Sequence, residues 1–165
     1  MAGKKIKSGA VLQEPESPPE KKTTTGQTQA EQYARSLIEA SLDPLVTISP
    51  EGKITDVNEA TIKVTVISKE QLIGTDFSNY FTEPDKAREG YQQVFKKGFV
   101  TDYPLTIIRR KDGKLIDVLY NASVYKDEKG NVLGVFAAAR DITEQKKASL
   151  FQARLLNVIA RIFQT

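Results

Sequence analysis

From Gln29 onward, apolar residues recur three and four apart: Ala30, Tyr33, Ala34, Leu37, Ile38 and Leu42. This spacing predicts a helix with one apolar face. Asp43-Pro44 ends it, because proline pushes the residue before it out of the helical region. The run LVTIS (45–49), the turn-like Pro50-Glu51-Gly52 and the run KITDV (53–57) then predict a short hairpin of two strands. Asn58 is placed to cap a short helix with Thr61 at its third position, although the β-branched Ile62, Val64 and Thr65 weaken the helical preference there. Ser68–Gln71 reads as a single turn ended by Gly74, and residues 84–97 as a longer helix between Pro84 and Gly98 with Ala87, Tyr91, Val94 and Phe95 along one side.

Three strand-like runs come next, at 103–110, 115–125 and 132–140, separated by the turn-rich segments Lys111-Asp112-Gly113 and 126–131. Two successive hairpins make them an antiparallel meander. In the middle run Ile116, Val118, Tyr120, Ala122 and Val124 share one side. In the last, Val132, Phe136 and Ala138 face one way and Leu133, Val135, Ala137 and Ala139 the other, so both faces need cover. The helices between 58 and 97 can supply one cover, and a terminal helix or a partner chain the other.

The closing segment, 141–165, carries the clearest period. Ala148, Phe151, Leu155, Val158 and Ile162 are spaced three, four, three and four apart, as the seam positions of a helix pair are. Leu156, Ile159 and Phe163 form a second stripe beside it. The combined face predicts dimerisation through Phe151, Leu155, Val158, Ile159 and Ile162, or continuation into a helical bundle. The alternative is a helix folded back on its own sheet. The segment carries no Gly or Pro stop signal, which fits a piece of a longer signalling chain.

Composition and charge narrow the chemistry. Residues 1–27 hold three prolines, five lysines and few apolar side chains, and are expected to be a flexible leader. The net charge of +3 resides in the tails: residues 31–139 carry fourteen basic and sixteen acidic residues. No basic stripe is therefore expected on the folded part, which argues against nucleic acid as a partner. The chain has neither Cys nor His. A thiolate nucleophile, a histidine proton relay and a metal centre built on either residue are thus excluded. Asp85, Asp102, Asp117 and Asp141 form no distinctive acid–base pair, and Asp56, Glu59 and Asp76 lack the spacing of a calcium loop. The segment reading is a leader (1–27), a flanking helix (28–44), a core (45–140) and a signalling or dimerisation helix (141–165). No apolar run reaches a membrane span or a signal peptide, so a cytoplasmic location is expected.

LVTISPEGKITDVNEA (45–60), LIGTDFSNYF (72–81) and the stretch from Arg109 to Glu144, above all Asp141-Ile142-Thr143, together resemble a PAS domain over about residues 31–144. The resemblance implies an α+β fold: a five-stranded antiparallel sheet in the order 2-1-5-4-3, short helices on one face and flanking terminal helices. It also implies a pocket between sheet and helices, with Asn58, Phe77, Tyr80, Phe95, Tyr120 and Phe136 as candidate ligand contacts. Asp141 and Thr143 are expected to transmit the signal, their side chains satisfying backbone donors at the start of the outgoing helix. In the family that aspartate can pair with a basic residue on a nearby strand. Asn58 matches the family asparagine that ties a local turn. Val66 departs from the pattern, since many relatives have Gly there; valine resists a positive φ, so either the turn takes another shape or the position is strained, and a rearranged loop is the expectation.

The implied function is a noncatalytic sensory or relay module of a bacterial or archaeal transducer, such as a histidine kinase or diguanylate cyclase. It would couple a small ligand or the state of a partner domain to homodimer and helix packing. The alternative is a ligand-free dimerisation or interaction module whose pocket is filled by its own aromatic side chains. No cofactor is predicted. The missing Cys and His close the route to a cysteinyl flavin adduct and to haem held by either residue, while a noncovalent small ligand stays open.

Overall fold

The structure, a computed structural model, describes residues 28–164; the expected leader and Thr165 lie outside the described residues. Helix α1 spans Gln29–Ala40. Thr28 and Glu31 cap it reciprocally, each side chain accepting from the other's backbone amide at 3.2 and 3.0 Å. Strands β1 (Leu45–Ile48) and β2 (Ile54–Val57) form the expected hairpin, in which Gly52 takes the positive φ of 82° that its turn requires. Helices α2 (Glu59–Thr65) and α3 (Lys69–Leu72), a 3-10 turn at Phe77–Tyr80 and helix α4 (Pro84–Lys97) then cross one face of the sheet.

Strands β3 (Phe99–Ile108), β4 (Leu115–Lys126) and β5 (Val132–Asp141) complete an antiparallel sheet in the order β2-β1-β5-β4-β3. β3 begins four residues earlier than its sequence run suggests. Asp102, at φ 51°, forms an irregularity that lets Phe99 and Val100 pair with Ser123 and Ala122. It stops at Ile108 because Arg109 opens a tight turn closed by hydrogen bonds with Gly113 and Lys114. Pro104 is tolerated because β3 lies on the sheet edge.

The alternation along the strands places Ile116 and Val118 of β4, and Val135, Ala137 and Ala139 of β5, in the core beneath the helices. Ile54, Val57 and Leu72 form a further buried cluster with Tyr80. Asn58 caps α2 as its sequence position implies, accepting from the Thr61 amide at 3.1 Å. The expectation of a rearranged loop at Val66 is corrected. Val66 takes the left-handed conformation itself, φ 57° and ψ 36°, and closes α2 with a hydrogen bond from its amide to the Ile62 carbonyl. The position keeps the shape that glycine would give it and carries the steric cost of a β-branched side chain.

Helix α5 (Thr143–Ile162) leaves directly from β5 and buries none of its residues. Among the described residues no helix is long and apolar enough to cross a membrane.

Candidate functional site

Between the sheet and α2–α4 lies an apolar cavity of about 60 Å³. Sheet residues Ile48, Leu105 and Tyr120 form its floor, and Phe77, Tyr80 and Tyr91 part of its roof. The roof is an aromatic chain. The Phe77 and Tyr91 rings are 5.0 Å apart, Tyr91 and Phe95 4.8 Å, and the edge of Phe81 meets Tyr120 at 5.6 Å. Asp76 starts the 3-10 turn that carries Phe77 and Tyr80, accepting from the Ser78 amide and hydroxyl. Burial acts to raise the Asp76 carboxyl, but the Ser78 hydrogen bonds and nearby Lys53 and Arg88 hold it below its ordinary value. Burial pushes the Tyr91 phenol up to about 12, so it remains a donor to the Ser49 carbonyl.

Three of the six candidate pocket residues meet around this cavity: Phe77, Tyr80 and Tyr120. The other three do not line it. Asn58 is fully buried with its amide saturated: the oxygen accepts from the Leu45 amide and from the Thr61 amide and hydroxyl, and the nitrogen donates to the Ile38 and Asp43 carbonyls. It ties β1, α2 and the end of α1 together and offers nothing to a ligand. Phe95 sits one turn beyond Tyr91 and borders an outer cleft instead. Phe136 pairs with Thr47 and Ser123 on the sheet face away from the helices. Tyr91 and Tyr103 were absent from the candidates and do line the cavity. Tyr103 could have been suspected from Gly90, since a Cβ at Gly90 would lie 2.7 Å from the Tyr103 ring: the helix is notched to admit it.

A second constellation joins the sheet to α5. Asp141 accepts from the Thr143 amide at 2.8 Å, the expected role for its carboxylate. Thr143 turns elsewhere: its hydroxyl accepts from the Asp117 amide of β4 at 3.2 Å, while the Asp117 carbonyl accepts from the Ile142 amide at 2.9 Å. The Asp117 carboxylate accepts from Thr106 on β3 at 2.8 Å and faces Lys146 of α5 at 3.7 Å. Asp117 is thus the hub that binds two strands to the first turn of α5. Sequence reasoning passed over it as one acid among several, because nothing local marks a strand aspartate whose partners lie eleven and twenty-six residues away. The basic partner at this junction goes to Asp117 rather than Asp141. Beyond it, Phe151, Leu155, Val158, Ile159 and Ile162 are between 41% and 69% exposed.

A family model for the PAS domain matches residues 42–144. The chain belongs to the PAS family. The fold is similar to the PAS domain of a protein from Colwellia psychrerythraea, at 22% identity over 70% of this chain and 98% of that one, with a TM-score of 0.61. It is also similar to a PAS domain from a two-component sensor histidine kinase, at 18% identity over 68% and 96%, with a TM-score of 0.58. An RNA-binding light-oxygen-voltage receptor matches 92% of this chain and 43% of its own length, at 15% identity and a TM-score of 0.66. At these identities the likeness is one of fold. PAS domains are noncatalytic sensory modules typical of signal-transduction proteins. Its sequence holds no Cys or His for a cysteinyl flavin adduct or a haem ligand, and among the described residues no three Asp or Glu side chains are grouped to hold a metal. A cavity of about 150 Å³ admits benzene. The 60 Å³ here is too small for a three-ring flavin with the side chains as placed.

Proposed function

We propose that this PAS domain is a signal relay. Occupancy of its interior cavity, or the state of a neighbouring domain in a longer parent protein, changes the setting of β4 and thereby the packing of α5 against a second copy of the chain. The observation that carries this reading is the Asp117 junction. Tyr120, which lines the cavity, and Asp117, which holds both ends of the Ile142–Thr143 step, stand three residues apart on one strand. A shift of β4 at the cavity therefore moves the origin of α5. The exposed stripe supports pairing: four large apolar side chains at seam spacing, with Ile159 beside them, are exposed, and burying them against a second copy removes them from water. A parent of the histidine kinase or diguanylate cyclase type, in the cytoplasm, completes the proposal; a PAS domain of similar fold comes from a two-component sensor histidine kinase.

A second reading, a ligand-free assembly module, is favoured by the small cavity and the aromatic side chains that crowd it. Native mass spectrometry followed by denaturing mass analysis separates the two. A dimer that releases a reproducible small molecule supports sensing. A ligand-free dimer supports the assembly reading and leaves the relay only an input from a neighbouring domain. A monomer with an intact α5 contradicts both.

A further inference from the structure

Six residues lining the cavity carry a hydroxyl, and five of these are bound within the protein. Thr61 shares its proton between the Leu45 carbonyl and the Asn58 amide oxygen, each at 2.9 Å, Thr65 donates to the Thr61 carbonyl at 2.8 Å and Tyr103 to the Lys86 carbonyl at 2.8 Å. Tyr80 shares a hydrogen bond with Thr75 at 2.6 Å, and Tyr91 donates to Ser49. The sixth, Tyr120, has no hydrogen-bond partner among the described residues. Among those residues no fully enclosed side-chain oxygen or nitrogen lacks a partner. The Tyr120 oxygen is therefore in contact with space that a water-sized molecule can reach, and Tyr120 is one of the residues that line the cavity.

The ring is held firmly. β4 is flanked on both sides, with Tyr120 opposite Tyr103 of β3 and Ala139 of β5, and Phe81 meets it edge-on. We propose that the Tyr120 hydroxyl is the polar anchor of a ligand site, and that the ligand is a small, uncharged, mostly apolar molecule with one hydrogen-bond acceptor, of the ketone, aldehyde or ether class. This rests on the sensing reading above and narrows it. Burial pushes the Tyr120 phenol well above its ordinary range, so the group is a neutral donor at any working pH. No charged side chain lines the cavity, so an ionised guest would lose its hydration without gaining a partner. Five of the six hydroxyls already commit their proton within the protein, so a guest with several acceptors would leave all but one unsatisfied. The volume limits the guest to a few heavy atoms.

The test is an NMR titration of the full chain with acetone, the smallest ketone, and separately with xenon as a purely apolar guest. Both probes are expected to move the methyl resonances of Val94 and Leu105. Tyr120→Phe is expected to leave xenon binding unchanged and to weaken acetone binding about fivefold, the worth of one neutral hydrogen bond. Tyr33→Phe, at an exposed tyrosine of α1 outside the cavity lining, is expected to leave acetone binding as it was. In the parent protein, cross-relaxation from the acetone methyl groups to the Tyr120 ring reports the contact without any variant. Equal acetone affinity in parent and Tyr120→Phe with xenon binding intact, or cross-relaxation confined to other cavity residues, overturns the anchor and leaves a cavity that admits guests. If neither probe moves a cavity resonance in the folded protein, the sensing reading falls and the anchor with it.

Discussion

Helices α4 and α5 each carry one apolar stripe, yet their surroundings differ. α4 lies across the sheet and buries Ala87, Gly90 and Val94, with Tyr91 and Phe95 stacked beside them. α5 is longer, at twenty residues against fourteen, and buries nothing. The two helices are joined to the sheet in opposite ways. α4 ends at Gly98, whose positive φ of 90° returns the chain into β3 and presses the helix onto the sheet. α5 starts where β5 ends, is fastened at its first turn to Asp117 and runs on from there. Apolar periodicity thus specifies that a face must be covered, while the turn beside it decides whether the chain covers it itself. The sheet face under the helices is packed within the described residues, while the apolar stripe of α5 is exposed.

Substitutions at matched positions sharpen this contrast. Val94→Asp places an unpaired charge at a site only 1% exposed and is expected to cost several kcal/mol, roughly the whole stability of a domain this size, abolishing the cooperative thermal transition. Leu155→Glu with Val158→Glu puts two charges on α5 and is expected to leave that transition in place, as followed by circular dichroism. Within the core, Asn58→Ala removes the amide that joins β1, α2 and the end of α1. A loss of about 3 kcal/mol in urea unfolding is expected, because several buried backbone groups lose their partners together.

A smaller effect of opposite sign is expected at Val66. Replacing it with glycine relieves the left-handed strain at a residue that is 44% exposed, and should raise stability by about 0.5–1 kcal/mol after glycine's greater entropy loss on folding is deducted. A lower melting temperature for Val66→Gly would show that the conformation carries no such cost. The smallest effect concerns Asp76. Its carboxyl is held below the ordinary value of 3.8, so its ionised form stabilises the fold above that pH, and the contribution disappears as pH falls through the lower folded value. Asp76→Asn should therefore be less stable than the parent near neutrality, with the gap in urea midpoints closing below about pH 4. A gap that stays constant to pH 2 contradicts this role.

The strand runs, the hairpin turns and the stripe on α5 all arise from local periodicity, and the motif order around Asp141-Ile142-Thr143 points to the fold. The cavity is less directly legible. Phe77, Tyr80 and Tyr120 belong to it, but Phe136 does not, because a strand places neighbouring side chains on opposite faces and the neighbour Val135 takes the inner one. Asn58 is by residue type equally fit to hold a ligand or a turn, and only its five hydrogen bonds within the fold decide for the turn. Asp117 is hidden for another reason: its importance rests on contacts made across the fold, at distances in sequence that no local pattern records.

Sedimentation equilibrium of the parent chain beside the Leu155→Glu, Val158→Glu variant tests the central claim, that the stripe on α5 is completed by a second copy. The expected result is a dimer for the parent and a folded monomer for the variant. A parent that sediments as a monomer with α5 still helical, or the same assembly for both proteins, would contradict it.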